Sequence, residues 1–381
     1  MKKNLIGSEY RLGILGGGQL GRMFIQEAIS YNIHVHIMDN NKKAPSAASA
    51  NTFTKGDINN YDDVVAFGKN LDTLTVEIEN INIEALYHLE KNGVNVFPQP
   101  RVLEIIKDKG LQKQFYKKNN IPTSDFELLP SNPDRSILAK KIPFVQKLRT
   151  GGYDGKGVEV IKLENDLKNM FQEASITEEL VPFTKELSVI VARNENGETA
   201  VYPTVECEFN DVNLVEFLFS PAQITSEVEN KAAAIAIDVI NKLEMVGLLA
   251  VELFLCENGD ILVNEVAPRP HNSGHHTIEC NVTSQFEQHL RSILNMPLGA
   301  TDMTQFGAML NLLGSDGYHG QAIYEGLFDV ISIKGVHIHL YGKEITKPNR
   351  KMGHITIARK SMDETITLAK DIKHLIRVIT A

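Results

Sequence analysis

Val246 to His276, VGLLAVELFLCENGDILVNEVAPRPHNSGHH, constrains the chain more than any other stretch. Two apolar, partly β-branched runs flank Asn258-Gly259, a pair suited to a two-residue hairpin because a type I′ turn needs positive φ at both central positions. With those residues as the turn, Leu255 faces Leu262, Leu253 faces Asn264, and Glu252 faces Glu265. Two carboxylates opposite each other on an apolar strand pair repel, and burial raises the cost unless one is protonated or a cation lies between them. Hard divalent ions take oxygen ligands, and Mg²⁺ commonly combines one or two carboxylates with substrate phosphates. The expectation is a Mg²⁺ site at Glu252 and Glu265 with Asn264 beside it. The plainer alternative is a slipped register that leaves one glutamate in water. Pro268-Arg-Pro-His-Asn-Ser-Gly274 follows as a polar loop held on rigid strands, where sites tend to sit.

At 381 residues the chain can hold two or three domains with sizeable cores. Its 43% hydrophobic and 23% charged residues are ordinary for a globular protein. A net charge of −9 argues against a nucleic-acid binder and predicts no general basic face. The three cysteines, Cys207, Cys256 and Cys280, lack metal-ligand spacing and fit a reducing compartment. Leu12 to Leu15 is too short an apolar core for a signal peptide, and no run approaches the roughly 20 apolar residues of a membrane span. A cytoplasmic protein is expected.

Arg11 to Leu15 reads as a buried strand, followed by Gly16-Gly-Gly-Gln-Leu-Gly21 and a helix whose apolar stripe includes Leu20, Met23, Phe24 and Ala28. A second strand, Val35 to Met38, ends at Asp39. Together these make a dinucleotide fingerprint that by itself points to NAD. The same turn and helix N-terminus will bind any phosphate, and the glycines also suit tight helix packing. Strand and helix patterns alternate onward through Leu71–Glu79 and Val94–Phe97, predicting a doubly wound parallel sheet. Thr75-Val-Glu-Ile-Glu-Asn80 puts carboxylates at the end of one of its strands, where ligands sit in open α/β sheets.

Pro98-Gln-Pro100 reads as a domain joint, and one helix is predicted from Val102 to Lys118 with Asp108 and Lys109 near its middle. Lys147 ends a strand before Thr150-Gly-Gly-Tyr-Asp-Gly-Lys-Gly157. This glycine-rich run resembles a phosphate cradle but lacks the Walker A order. Strands Phe144–Leu148 and Val158–Ile161 make it a hairpin tip. Thr177 to Val181 reads as a strand, and Glu186 opens the next. Helices are predicted at Glu229–Leu243 and Thr283–Asn295, then short strands beyond Pro297. His337 and His339 alternate on one strand as surface residues. Asn349 to His354 is a basic turn able to hold a phosphate.

Gly13-Ile-Leu-Gly-Gly-Gly-Gln-Leu-Gly-Arg-Met23, Arg149-Thr-Gly-Gly-Tyr-Asp-Gly-Lys-Gly157, Asn264-Glu-Val-Ala-Pro-Arg-Pro-His-Asn-Ser-Gly-His275 and Arg350-Lys-Met-Gly-His354 occur in that order. Taken together they resemble the ATP-grasp superfamily, and within it the 5-(carboxyamino)imidazole ribonucleotide synthases. The resemblance implies an α/β and α+β chain in three parts. These are a Rossmann-like domain over 1–100, an ATP-grasp domain over 101–300 with a lid at about 122–185, and a small β-rich domain over 301–381. It implies a homodimeric ligase that uses ATP, Mg²⁺ and bicarbonate to carboxylate 5-aminoimidazole ribonucleotide through carboxyphosphate, with no nucleic-acid or membrane partner.

For ATP it implies Lys109, Lys147, Gly152, Tyr153, Asp154, Gly155, Lys156, Gly157, Val158, Glu186, Asn264 and Glu265, with the run Glu178, Glu179, Leu180, Val181 at the adenine. For Mg²⁺ it implies Glu252 and Glu265. For the ribonucleotide it implies Gln19, Leu20, Glu77, Tyr153, Asp154, Arg269, His271, Asn272, Ser273, Arg350 and Lys351. Lys147, Tyr153, Asp154 and Arg269 are the implied catalytic groups, Arg269 stabilising carboxyphosphate. One departure is Val205-Glu-Cys-Glu-Phe209, where some relatives place a histidine near the nucleotide. A formyl-phosphate-dependent transformylase or another carboxylate–amine ligase, an NAD oxidoreductase, and a non-catalytic nucleotide-binding regulator are the competing classes.

Overall fold

The computed structural model describes residues 5–152, 156–210 and 214–381. Its N-terminal part alternates strands β1 (Gly7–Leu15), β2 (Ile33–Asp39), β3 (Thr52–Lys55), β4 (Thr73–Val76) and β5 (Asn95–Val96) with helices α1 (Gln19–Ser30), α2 (Tyr61–Gly68) and α3 (Ile83–Lys91). The strands lie in the order β3-β2-β1-β4-β5 and all pair in parallel, as the alternating pattern predicts. Leu12, Ile14 and Leu15 of β1 are all buried, because a parallel strand covered on both faces takes an unbroken apolar run.

The single helix expected over 102–118 is two, α4 (Pro100–Lys107) and α5 (Lys109–Lys118). Asp108 between them is extended, and its carboxylate caps α5 by accepting from the N–H groups of Gly110 at 2.7 Å and Leu111 at 3.2 Å. Aspartate favours a cap over a helix interior because its side chain competes for backbone donors. Arg149 holds the same carboxylate through Nε at 2.9 Å and Nη2 at 2.6 Å. Helical periodicity runs on across the break, so the pattern reads as one helix.

Strands β6 (Phe126–Leu129), β7 (Phe144–Leu148), β8 (Val158–Ile161) and β9 (Ser175–Glu179) form an antiparallel sheet in the order β6-β9-β7-β8. β7 and β8 have the bounds read from the sequence. β9 stops at Glu179, so Leu180 and Val181 fall in the link to the next strand. That strand opens a larger sheet: β10 (Phe183–Arg193), β11 (Thr199–Val201), β12 (Val205–Phe209), β13 (Val215–Ser220), β14 (Gly247–Cys256), β15 (Ile261–Ala267) and β16 (Phe306–Leu313). Its main path is β15-β14-β10-β12-β13-β16 and continues into Lys351–Arg359 and Val336–Leu340, while β11 pairs with β10. One sheet therefore carries the hairpin at one edge and the C-terminal strands at the other. Helix Ser226–Lys242 buries Ala232, Ala236, Val239 and Ile240 in the core that includes Val189, Leu249 and Val251. No helix of the described residues is long and apolar enough to cross a membrane.

The β14–β15 hairpin reaches the expected pairing by another route. Its turn holds three residues, not two: the Cys256 N–H donates to the Asp260 carbonyl at 2.9 Å, and Gly259 takes a left-handed φ of 83°. A three-residue loop ending in a left-handed residue is a common hairpin alternative. It sets Leu255 against Ile261 and Leu253 against Val263, one residue off the predicted register. A β-bulge then takes up Asn264 as an extra residue and returns Glu252 to face Glu265. The two departures cancel.

Candidate active site

Glu252 and Glu265 are half-buried and directly opposed. Their ionisation is driven apart. Burial, reinforced by the charge of Glu265, pushes the Glu252 carboxyl far above the usual carboxylate range. Lys109, which pairs with Glu265, holds that carboxyl well below it. Like charges on directly opposed residues disfavour joint ionisation unless a cation lies between them. The cap at Asp108 places Lys109 at the first position of α5, and the Lys109 N–H donates to the Arg149 carbonyl at 2.8 Å. This ties α5 to the residue that leads into the glycine loop.

The bulge turns Asn264 to the same side as Glu265. Its Oδ1 accepts from Lys147 Nζ at 2.7 Å, and Lys147 also donates to Glu178 Oε2 at 3.1 Å. Glu178 is buried, and the same oxygen takes Ser124 Oγ at 3.0 Å and lies 3.3 Å from Lys113 Nζ. Burial works to raise its pKa, but Lys147 and Lys113 together hold it below normal. Glu186 on β10 is pushed up to about 7 by burial, which Lys147 only partly offsets.

The polar loop completes this side of the site. His271 Nε2 lies 3.5 Å from Glu252, its Nδ1 is 2.9 Å from Ser273 Oγ, and Ser273 Oγ is 2.8 Å from Ser188 Oγ. Ser188 sits across the ladder from Glu252. Gln285 clamps the loop, accepting from the His271 N–H at 2.8 Å and donating to its carbonyl at 2.7 Å. Asn272 exchanges amide hydrogen bonds with Asn311, both at 2.9 Å. Arg269 pairs with Glu79 at 2.8 Å, which joins the loop to the end of β4.

The glycine turn after β1 differs from the expected phosphate cradle. Glu77, at the carboxyl end of β4, accepts from the N–H groups of Gly18 at 2.5 Å and Leu20 at 3.2 Å, and Asp39 accepts from Gly17 at 2.8 Å. The protein's own carboxylates occupy these donors. Burial pushes Glu77 up to about 7 although the backbone N–H groups oppose the shift. A Cβ on Gly18 would lie 2.1 Å from Glu77 Oε1, so glycine is needed there for close approach.

Arg350 and Lys351 lie where the basic turn enters the strand Lys351–Arg359. Three residues on, His354 packs against His275 of the polar loop with ring centroids 4.6 Å apart, and against His339 at 4.4 Å. His339 is half-buried and 2.7 Å from Glu279, so it is not the surface residue expected, whereas His337 is exposed. Tyr153, Asp154 and Gly155 lie outside the described residues. At the loop's base, the Leu148 N–H donates to the Gly157 carbonyl at 2.9 Å, and Gly157 has φ 77°. Gly152, Lys156 and Val158 flank the same hairpin.

The structure thus gathers Lys109, Lys147, Glu178, Asn264, Glu265, Glu252, His271 and Ser273 into one chain of contacts. Gln19, Leu20 and Glu77 form a second group at the glycine turn. Sequence reasoning passed over Lys113, Ser124 and Ser188. For Lys113 a signal existed: it lies four residues after Lys109, hence on the same helix face.

A parallel N-terminal sheet, an antiparallel second sheet carrying a lysine, and facing hairpin glutamates define an ATP-grasp enzyme, an ATP-dependent ligase. Three family descriptions match along the chain: ribonucleotide synthetase preATP-grasp domain over 10–107, ATP-grasp domain over 114–286, and phosphoribosylaminoimidazole carboxylase C-terminal domain over 307–367. The chain is 35% identical over 373 residues to the N5-carboxyaminoimidazole ribonucleotide synthase of Bacillus subtilis, covering 96% of both, and it belongs to that family. The N5-carboxyaminoimidazole ribonucleotide synthetase structure from Thermotoga maritima matches with a TM-score of 0.91 at 40% identity, over 98% of this chain and 100% of that one. The Aspergillus clavatus synthase in complex with ADP and 5-aminoimidazole ribonucleotide matches with a TM-score of 0.88 at 31% identity, over 96% and 98%. The phosphoribosylaminoimidazole carboxylase of Ogataea methanolica is 38% identical over 369 residues, 93% of this chain and 67% of that protein. The chain spans about two thirds of the length of several such curated carboxylases, 64% in the Saccharomyces cerevisiae case.

Proposed function

We propose that the chain carboxylates 5-aminoimidazole ribonucleotide in purine synthesis. ATP phosphorylates bicarbonate to carboxyphosphate, whose CO₂ passes to the exocyclic amine as ADP and phosphate are released. One observation carries the reading. Glu252 and Glu265 face each other across the hairpin, with Lys109 paired to Glu265 and Lys147 donating to Asn264 beside them. Such an arrangement is costly for a fold and useful for binding a cation and phosphates.

Lys147 and Lys109 take the nucleotide's phosphates, whose negative charge their ammonium groups offset. Glu186 accepts from the ribose hydroxyls, and the link carrying Leu180 and Val181 offers backbone groups to the adenine. The donor set fits Mg²⁺, a hard ion that takes carboxylate oxygens: Glu252 and Glu265, opposed across the hairpin, would hold it. When bound, that ion supplies charge neutralisation at the phosphate oxygens. Arg269, kept in place by Glu79, stabilises carboxyphosphate. At the glycine turn the N–H groups are already filled, so the ribonucleotide meets the Glu77 carboxylate with Gln19 and Leu20. A carboxylate there accepts from hydroxyls or an amine and repels phosphate, so the phosphate goes to Arg350 and Lys351.

The test is ADP release by the purified chain with ATP and Mg²⁺, omitting bicarbonate or aminoimidazole ribonucleotide in turn. Turnover that needs both supports the reading. Turnover that ignores bicarbonate but responds to formate replaces it with a transformylase.

A further inference from the structure

We infer that Lys113 is a positioning residue of the nucleotide site, a buried cation that shares the charge of Glu178 and so leaves Lys147 available to a phosphate. The inference rests on the nucleotide-site reading above. Lys113 is 1% exposed and lies one helical turn beyond Lys109. Its ammonium donates to Thr123 Oγ1 at 2.6 Å and Ser124 Oγ at 3.0 Å and lies 3.3 Å from Glu178 Oε2. Each hydroxyl has already committed its proton elsewhere. Thr123 donates to the Val263 carbonyl at 2.6 Å, and Ser124 donates to Glu178 Oε2 at 3.0 Å. Serving all three acceptors takes the three protons of an ammonium.

The network reaches both partners of Lys147. Val263 precedes Asn264, and its N–H donates to the Pro122 carbonyl at 2.8 Å, next to Thr123. Glu178 Oε2 gathers Ser124, Lys113 and Lys147, while Oε1 has no partner among the described residues. One carboxylate therefore answers two ammonium groups, so Lys147 holds only a share of the Glu178 charge. Without the Lys113 charge, Glu178 and Lys147 form a balanced pair in a poorly screened place. A phosphate would then compete with Glu178 for Lys147. Mere packing does not explain Lys113, since an apolar side chain fills such space without the cost of burying a charge.

The experiment measures ADP affinity by calorimetry, with melting temperature alongside, in the full chain and in K113M, E178Q and K113M/E178Q. K113M is expected to weaken ADP about tenfold, equivalent to roughly 1.4 kcal/mol. K113M/E178Q is expected to bind ADP more tightly than K113M, because Lys147 then faces a neutral amide. Should K113M fail to fold, K113Q, which keeps hydrogen bonding without charge, takes its place. Losses that add, so that the double variant is worse than K113M, overturn the inference, as does ADP binding unchanged in K113M. A wild-type chain that binds no ADP sinks the nucleotide-site reading and this inference with it, whereas normal wild-type binding with indifferent variants sinks the inference alone.

Discussion

The glycine turn after β1 and the lysine–carboxylate face of the hairpin are both built to meet anions, and they are filled in opposite ways. At the turn, the N–H groups of Gly17, Gly18 and Leu20 already hold Asp39 and Glu77. At the hairpin, Lys109 and Lys147 are paired, but with carboxylates that are crowded or shared. A motif specifies an array of donors. Whether the array is open to a ligand depends on which side chains the rest of the fold delivers to it.

The largest expected effect that tests this contrast is at the hairpin. E265Q should lower ADP-forming turnover about 10²–10³-fold, the scale of losing a group that stabilises developing charge. Its stability should fall far less than its turnover, because the amide oxygen still accepts from Lys109. Joint loss of activity and fold in a melting and turnover comparison would make the pair structural and erase the contrast.

At the turn the larger effect is on stability. Burial lifts the Glu77 carboxyl to about 7 in the fold, from 4.5 for a free side chain. Between those values the folded state keeps a proton that the unfolded chain has lost, so wild-type stability falls as pH rises through that window. Below it Glu77 is neutral in both states. E77Q, uncharged throughout, should gain on wild type by up to about 3 kcal/mol at pH 8 and hardly at all at pH 4.5. Urea unfolding at the two pH values checks this, and a gap that does not open with pH would refute it.

D39N is a smaller perturbation, removing the charge that accepts from Gly17 at 2.8 Å and Asn41 at 2.7 Å. It should cost about 1.5–3 kcal/mol in the same urea assay, the range for hydrogen bonds to a charged group. A variant as stable as wild type would show that Asp39 does not close the turn. The smallest signal is expected from NAD, which should bind no more tightly than about 1 mM by calorimetry. Micromolar NAD affinity would mean the turn is open after all and the comparison wrong.

Much of the architecture was legible because it is local. Alternating apolar strand and helix patterns gave the parallel sheet, and the bounds of β7 and β8 followed from apolar runs beside glycines. Glu252 facing Glu265 was also read correctly, but through a two-residue turn and an even ladder that the structure does not contain. Nothing in a two-residue period announces a bulge, since an extra residue looks like any other polar position. The break at Asp108 was hidden for a related reason: Arg149, which holds that carboxylate, lies just past β7, far along the chain. Lys113 went unread because a lysine in an amphipathic helix ordinarily faces water, and only Thr123, Ser124 and Glu178 make its burial tolerable.

Periodicity, turn residues and motif order thus settle which elements form, in what sequence, and which families the chain resembles, because each depends on neighbours along the backbone. Tertiary structure alone decides that Glu77 closes the glycine turn, that Asn264 bulges toward Lys147, and that Lys113 shares Glu178. Those outcomes turn on burial and on charges brought together from positions far apart in the chain, where desolvation makes the presence or absence of one partner matter by whole kilocalories.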